Sequence, residues 1–196
     1  MKTKIICLIL AALTVLSLAS CGVSKADKEE ITNAAKELIE ASYEINEIYF
    51  GHGLEVTDTE VLANTEYWYV ADDCPYKSMD DIKKATAKVY SSDYCEDYLY
   101  LIGFEGIANE NEEESNIAYA RFKEDTKGKL CQMKSASEGG FDLKRTYDFS
   151  TITVESYVRG KATIKIKSLV DGNEDTEVTL TLVKQADGWR LDSPTY

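Results

Sequence analysis

Apolar and small residues recur at Ile31, Ala35, Leu38, Ser42, Ile45 and Tyr49, a three-four spacing that predicts one long amphipathic helix from about Lys28 to Phe50. Asp27 reads as its N-cap, with Glu30 three residues on, and Gly51 as a left-handed stop. The pattern then weakens, and only Glu66-Tyr67-Trp68-Tyr69-Val70 has the aromatic and branched content of a short strand. Helical spacing returns at Met79, Ile82, Ala85 or Thr86, and Val89, with Lys83, Lys84 and Lys88 outside or near the end. Ser78 stands where an N-cap belongs. Asp81 follows it by three residues, and Asp80 and Asp81 both favour the positive end of the helix. Ser91 and Ser92 interrupt this helix, Asp93 with Glu96 offers a second start, and Tyr94, Tyr98 and Leu101 share a face before Gly103.

Past Gly106 the period changes. Asn109-Glu110-Asn111-Glu112-Glu113-Glu114-Ser115 contains no apolar residue and crowds like charges, which predicts a solvated loop. Strands are predicted from Ile117 to Lys123 and from Gly128 to Met133, with a loop at Ser137-Glu138-Gly139-Gly140. Ile152, Val154, Ser156 and Val158 alternate with polar neighbours, Arg159-Gly160 turns the chain, and Ala162, Ile164, Ile166 and Ser168 alternate again. Val178, Leu180 and Leu182 repeat the pattern, and after Asp187-Gly188 Trp189 and Leu191 point the same way. Helices first and a strand meander last predict one α+β domain over residues 28–196, its helices packed on a curved antiparallel sheet covered on one face. This element order resembles the cystatin-like cone folds, including the nuclear transport factor two-like class.

The N-terminus follows different rules. Lys2 and Lys4 precede an almost wholly apolar run from Ile5 to Leu18, too short for a permanent span, which predicts a signal peptide over residues 1–20. Leu18-Ala19-Ser20-Cys21 resembles a bacterial lipobox, making Cys21 the lipidation site and residues 21–27 a tether. Two acyl chains, at about 0.8 kcal/mol per buried methylene, give lasting attachment, so the expected location is the outer face of the cell membrane.

The formal charge is -13, and loss of Lys2 and Lys4 with the signal makes the mature chain more negative. That balance opposes nucleic-acid binding and adhesion to anionic lipid, and suits a basic partner or simple solubility. Cys74, Cys95 and Cys131 remain after Cys21, an odd number with no C-x-x-C spacing, which predicts buried apolar thiols more than a bridge and gives no support to structural zinc. His52 is the chain's one histidine, so no histidine pair for metal exists, and Gly51-His52-Gly53 reads as loop. Asp171-Gly172-Asn173-Glu174-Asp175 begins like a calcium loop, but Thr176 and Leu182 stand where glycine and glutamate are required, so it reads as a hairpin turn. There is no GxSxG turn and no phosphate-cradling glycine loop. No catalytic residue and no cofactor is therefore assigned. The acidic run supplies the candidate partner-binding residues, Glu110, Glu112, Glu113 and Glu114.

Taken together, Tyr76-Lys77-Ser78-Met79-Asp80-Asp81-Ile82, Val89-Tyr90-Ser91, Arg145-Thr146-Tyr147-Asp148-Phe149-Ser150 and Gly188-Trp189-Arg190-Leu191-Asp192-Ser193-Pro194-Thr195-Tyr196 resemble the DL-endopeptidase inhibitor (IseA-like) family of Firmicutes. The likeness covers most of the mature chain and rests on structural motifs. It implies a non-enzymatic extracytoplasmic protein that binds NlpC-type cell-wall peptidases and moderates autolysis, here with a lipid anchor in place of free secretion. Such a peptidase acts on acidic peptides, so its cleft would accept the acidic run and opposite charge would speed encounter. The alternative class is a small-ligand-binding or enzymatic domain using the interior pocket of the cone.

Overall fold

The computed structural model describes residues 22–60, 66–108, 117–118, 120–139, 142 and 145–196. Its first element is α1, Lys25–Tyr49, whose apolar stripe buries Ile31, Ala35, Leu38, Ile39, Ile45, Ile48 and Tyr49. The helix starts earlier than its periodicity suggests. Ser24 is the N-cap, taking the Asp27 N–H at 3.1 Å and giving its own hydroxyl to the Asp27 carboxylate at 2.6 Å, so Asp27 lies inside the first turn. The left-handed residue after α1 is Gly53, at φ 81°, and not Gly51, which lies against the Glu47 carboxylate where a Cβ would collide.

Two four-stranded antiparallel sheets follow, where one meander was expected. The first is formed by β1 (Val56–Glu60), β2 (Tyr67–Val70), β5 (Phe122–Glu124) and β6 (Leu130–Met133) in the order β1-β2-β6-β5. The second is formed by β7 (Arg145–Val158), β8 (Lys161–Val170), β9 (Asn173–Gln185) and β10 (Gly188–Leu191), in chain order reversed. A small ribbon pairs β3 (Ile107–Ala108) with β4 (Ile117–Ala118). The predicted strand from Ile117 to Lys123 is thus cut into β4 and β5, which belong to different sheets. The predicted loop at residues 137–140 begins inside a short helix, α4, Lys134–Glu138.

Between β2 and β3 in the sequence, and so within the span of the first sheet, lie α2 (Met79–Val89) and α3 (Ser92–Tyr94), the latter continuing as π-helical turns over Cys95–Leu99 and Leu101–Glu105. Ser78 forms the expected capping box: its hydroxyl accepts from Asp81 N–H at 3.1 Å and its own N–H reaches Asp81 Oδ2 at 3.1 Å. The second start is capped by Ser91, not Asp93, because the Ser91 hydroxyl reaches the Tyr94 N–H at 3.1 Å. Gly103 does not end this segment, since its missing side chain makes room for the Tyr49 ring; Gly106, at φ 81°, does.

Helix α1 lies on the inner face of the second sheet, burying Ala162, Ile164, Ile166, Leu180, Leu182, Trp189 and Leu191 in one core with Ile82, Tyr90 and Leu99. The outer face carries ion pairs of Lys165 with Glu155 and Glu177, each at 3.8 Å. The molecule is therefore of the α+β class. One predicted face is wrong beyond Val154. A bulge between Val154 and Ser156 shifts the register, so Tyr157 packs on Trp189 at 5.6 Å between ring centroids while Val158 is 65% exposed.

Candidate functional site: a cleft between helix α1 and strand β7

Where β7 begins and β8 ends, α1 and the C-terminal segment enclose a cleft of about 510 Å³. Tyr43, Asn46 and Glu47 reach it from one face of α1, as three-four spacing requires, Arg145 and Thr146 from β7, Val170 from β8, and Thr195, Tyr196 and Asp142 complete it. Its floor is a buried hydrogen-bond network centred on Thr195. The Thr195 hydroxyl lies 2.7 Å from Ser42 Oγ, 2.8 Å from Asn46 Nδ2 and 2.9 Å from Tyr90 Oη, and Tyr90 donates to Asn46 Oδ1 at 2.7 Å. Ser91 adds a second tie by donating to Asp192 at 2.6 Å. A network whose members are all partnered rigidifies what it joins, here α1, the end of α2 and the C-terminal segment.

Charge is placed at both ends. Arg145 donates from Nη1 to Ser168 Oγ at 2.6 Å and to Asp175 Oδ2 at 2.7 Å, and this guanidinium first, then Ser168, holds the Asp175 carboxyl below its usual range. At the other end Glu47 Oε1 accepts from the His52 N–H at 2.8 Å. The exposed His52 ring sets Nδ1 3.1 Å from the Ser137 carbonyl and Nε2 3.5 Å from Asp142 Oδ1. Both neighbours are acceptors, so the imidazolium suits this position better than either neutral tautomer. The Ser137 carbonyl and then Asp142 raise the His52 pKa above its ordinary value.

Beside the cleft, rings climb from the core to the surface. Tyr90 stacks on Tyr94 at 5.1 Å, Tyr94 meets Tyr98 at 5.6 Å, Tyr98 meets Phe50 at 6.4 Å, and Phe50 stacks on Tyr196 at 3.8 Å. Burial lifts the Tyr94 hydroxyl to about 12; Tyr196 lies close enough to offset part of this without reaching hydrogen-bond geometry. Tyr98 and Leu101, at 42% and 37% exposure, show apolar surface at the head of this ladder. The wider π-helical turn places both outward, a backbone form concentrated at functional sites.

Cys74, Cys95 and Cys131 are buried free thiols, and burial raises Cys95 and Cys131 to about 11, which keeps them protonated and unreactive at neutral pH. Asp171 and Gly172 form the β8–β9 turn with φ of 52° and 76°, and Asp175 is spent on Arg145. Cys21 and Glu110, Glu112, Glu113 and Glu114 lie outside the described residues. Composition and spacing did not single out Arg145, Thr195 or Tyr196 as site residues, although all three fall in the stretches that carry the family resemblance. No protein-family model and no curated protein matches this chain.

Proposed function

We propose that this protein is a lipid-anchored extracytoplasmic lipoprotein, held at the outer face of the cell membrane through Cys21, that binds and inhibits or modulates an NlpC-type cell-wall DL-endopeptidase. The observation that carries the reading is where the resembling stretches meet. Tyr90 and Ser91 bond to Thr195 and Asp192, while Arg145, Thr146, Thr195 and Tyr196 wall one cleft. Three of the four stretches thus meet at one place, two of them lining the cleft and the third, through buried Tyr90 and Ser91, supporting it from beneath, with exposed Tyr98 and Leu101 beside it as ring and aliphatic anchors. The role is one of binding, with no reaction assigned. Glu110, Glu112, Glu113 and Glu114 act as the acidic segment that steers the peptidase cleft onto this surface.

The test is a turbidity assay of cell-wall lysis by a purified NlpC-type endopeptidase, with and without the purified protein. Slowed lysis with direct binding is expected. Unchanged lysis and no binding removes the inhibitor reading. Replacing the four glutamates by glutamine is expected to weaken inhibition and flatten its salt dependence; full inhibition by that variant takes the run out of the account.

A further inference from the structure

The cleft is electrically two-ended. Glu47 and Asp142 gather at the His52 end, and Arg145 stands at the Ser168 end, where Val170 closes the wall. Both hydrogen bonds of Arg145 leave from Nη1, so its Nε and Nη2 donors have no hydrogen-bond partner among the described residues. Asp175 and Ser168 fix the guanidinium without consuming that side of its fork. Tyr43, Thr146 and Tyr196 line the cleft with these charges, and a volume of about 510 Å³ lies inside the usual range for small-molecule sites.

We propose that this cleft binds a small zwitterion, a free amino acid or a short peptide with free ends, with its carboxylate on Arg145 and its ammonium between Glu47 and Asp142. A simple anion meets Arg145 but finds two carboxylates at the far end, where the His52 ring beside Asp142 and Arg121 near Glu47 offset only part of their charge. A simple cation gains the carboxylates and faces the guanidinium. Only a ligand carrying both charges matches both ends. The inference rests on the cleft and not on the peptidase reading, and either can fail while the other stands.

Titration calorimetry of the full chain in detergent with L-alanyl-L-alanine tests it, using N-acetyl-L-alanyl-L-alanine, L-alanyl-L-alanine amide and L-alanine as the other arms. Saturable binding of the free dipeptide is expected, with a loss of about tenfold or more on blocking either end, as expected for removal of one charge-assisted contact. Arg145→Gln is expected to erase the preference for the free carboxylate over the amide. Asp142→Asn, on an exposed residue, is expected to narrow the preference for the free amine over the acetylated form. L-Alanine against the dipeptide separates a single amino acid from a peptide as the ligand. Failure of both free compounds to bind at millimolar concentration overturns the proposal. So does equal binding of the blocked forms, or end preferences that survive both substitutions.

Discussion

Two residues carry consequences out of proportion to their size. Thr195 is 1% exposed and its one hydroxyl meets Ser42, Asn46 and Tyr90. Thr195→Val keeps the shape and strips these buried groups of their common partner, so a loss of about 1–3 kcal/mol is expected from urea unfolding, whereas an unchanged midpoint would mean that the network is not the floor described. His52 gives a cleaner reading still, because a single histidine yields a single set of imidazole resonances to follow by NMR. Its pKa should lie above the ordinary 6.5, and Asp142→Asn should lower it. The sign for stability follows: a raised folded-state pKa adds stability that is fully present below the unfolded value and is lost as pH rises through the folded one. None of this was readable from Gly51-His52-Gly53, which predicted a loop and gave no sign that Ser137 and Asp142 would meet the ring.

Elements whose signals are local were legible, and those set by distant partners were not. Ser78 and Asp81 are three residues apart, so their reciprocal bonds could be read from the chain, and Ser78→Ala is expected to cost about 1 kcal/mol in thermal or urea unfolding. The hairpin of β7 and β8 was equally plain near Ala162, Ile164 and Ile166, since alternation needs only neighbours. The β7 bulge is different. Pairing shows Val154 opposite Ile164 but Ser156 opposite Thr163, one residue too many on β7, and no residue type marks that insertion. Deleting Glu155 should therefore remove the bulge and leave every other pairing in place, with Tyr157 still opposite Ala162 and facing Trp189 and Val158 still outward opposite Lys161. Retention of the Tyr157–Trp189 ring contact, read as an unaltered tryptophan fluorescence spectrum in a folded variant, is the expected result; a changed spectrum would place the extra residue elsewhere. The π-helical run hid for a related reason, because Tyr94, Tyr98 and Leu101 fit an α-helical spacing well enough to conceal the wider turn. The cleft was hidden most completely, being assembled from α1, the start of β7 and the C-terminal segment, which are far apart in the chain.

At the scale of the whole molecule, charge sets two opposing trends with pH. With 35 acidic against 22 basic side chains, the folded chain repels itself at neutral pH, and mild acid relieves that repulsion. His52 works in the same direction, since its contribution is complete below about 6.5. Against them stand carboxylates that folding holds below their usual range: Asp81 through the Lys77 and Ser78 N–H groups and the Ser78 hydroxyl, Asp125 through the Lys129 and Lys127 N–H groups, and Asp175 through Arg145 and Ser168. Their folded pKa values are depressed, so their stabilisation is present above the unfolded value near 3.8 and is lost as pH falls through the folded ones. The urea midpoint should accordingly rise from pH 8 to about pH 5 and fall below about pH 4. Salt separates the causes: about 0.5 M sodium chloride, with a Debye length well under 10 Å, should flatten the upper limb and spare most of the lower one, where the partners are in direct contact. A midpoint that is highest at pH 8 in low salt would mean that local pairing, and not net charge, governs this fold. Asp175 makes the lower limb bear on the cleft as well, because its protonation frees the Nη1 of Arg145 to swing out of the position Ser168 and Asp175 jointly define. Asp175→Asn at neutral pH should then reproduce the acid form of the cleft without unfolding the protein, weakening dialanine binding while leaving the unfolding free energy from urea titration within about 1 kcal/mol of the parent, as expected for a pair whose side chains are 28% and 32% exposed.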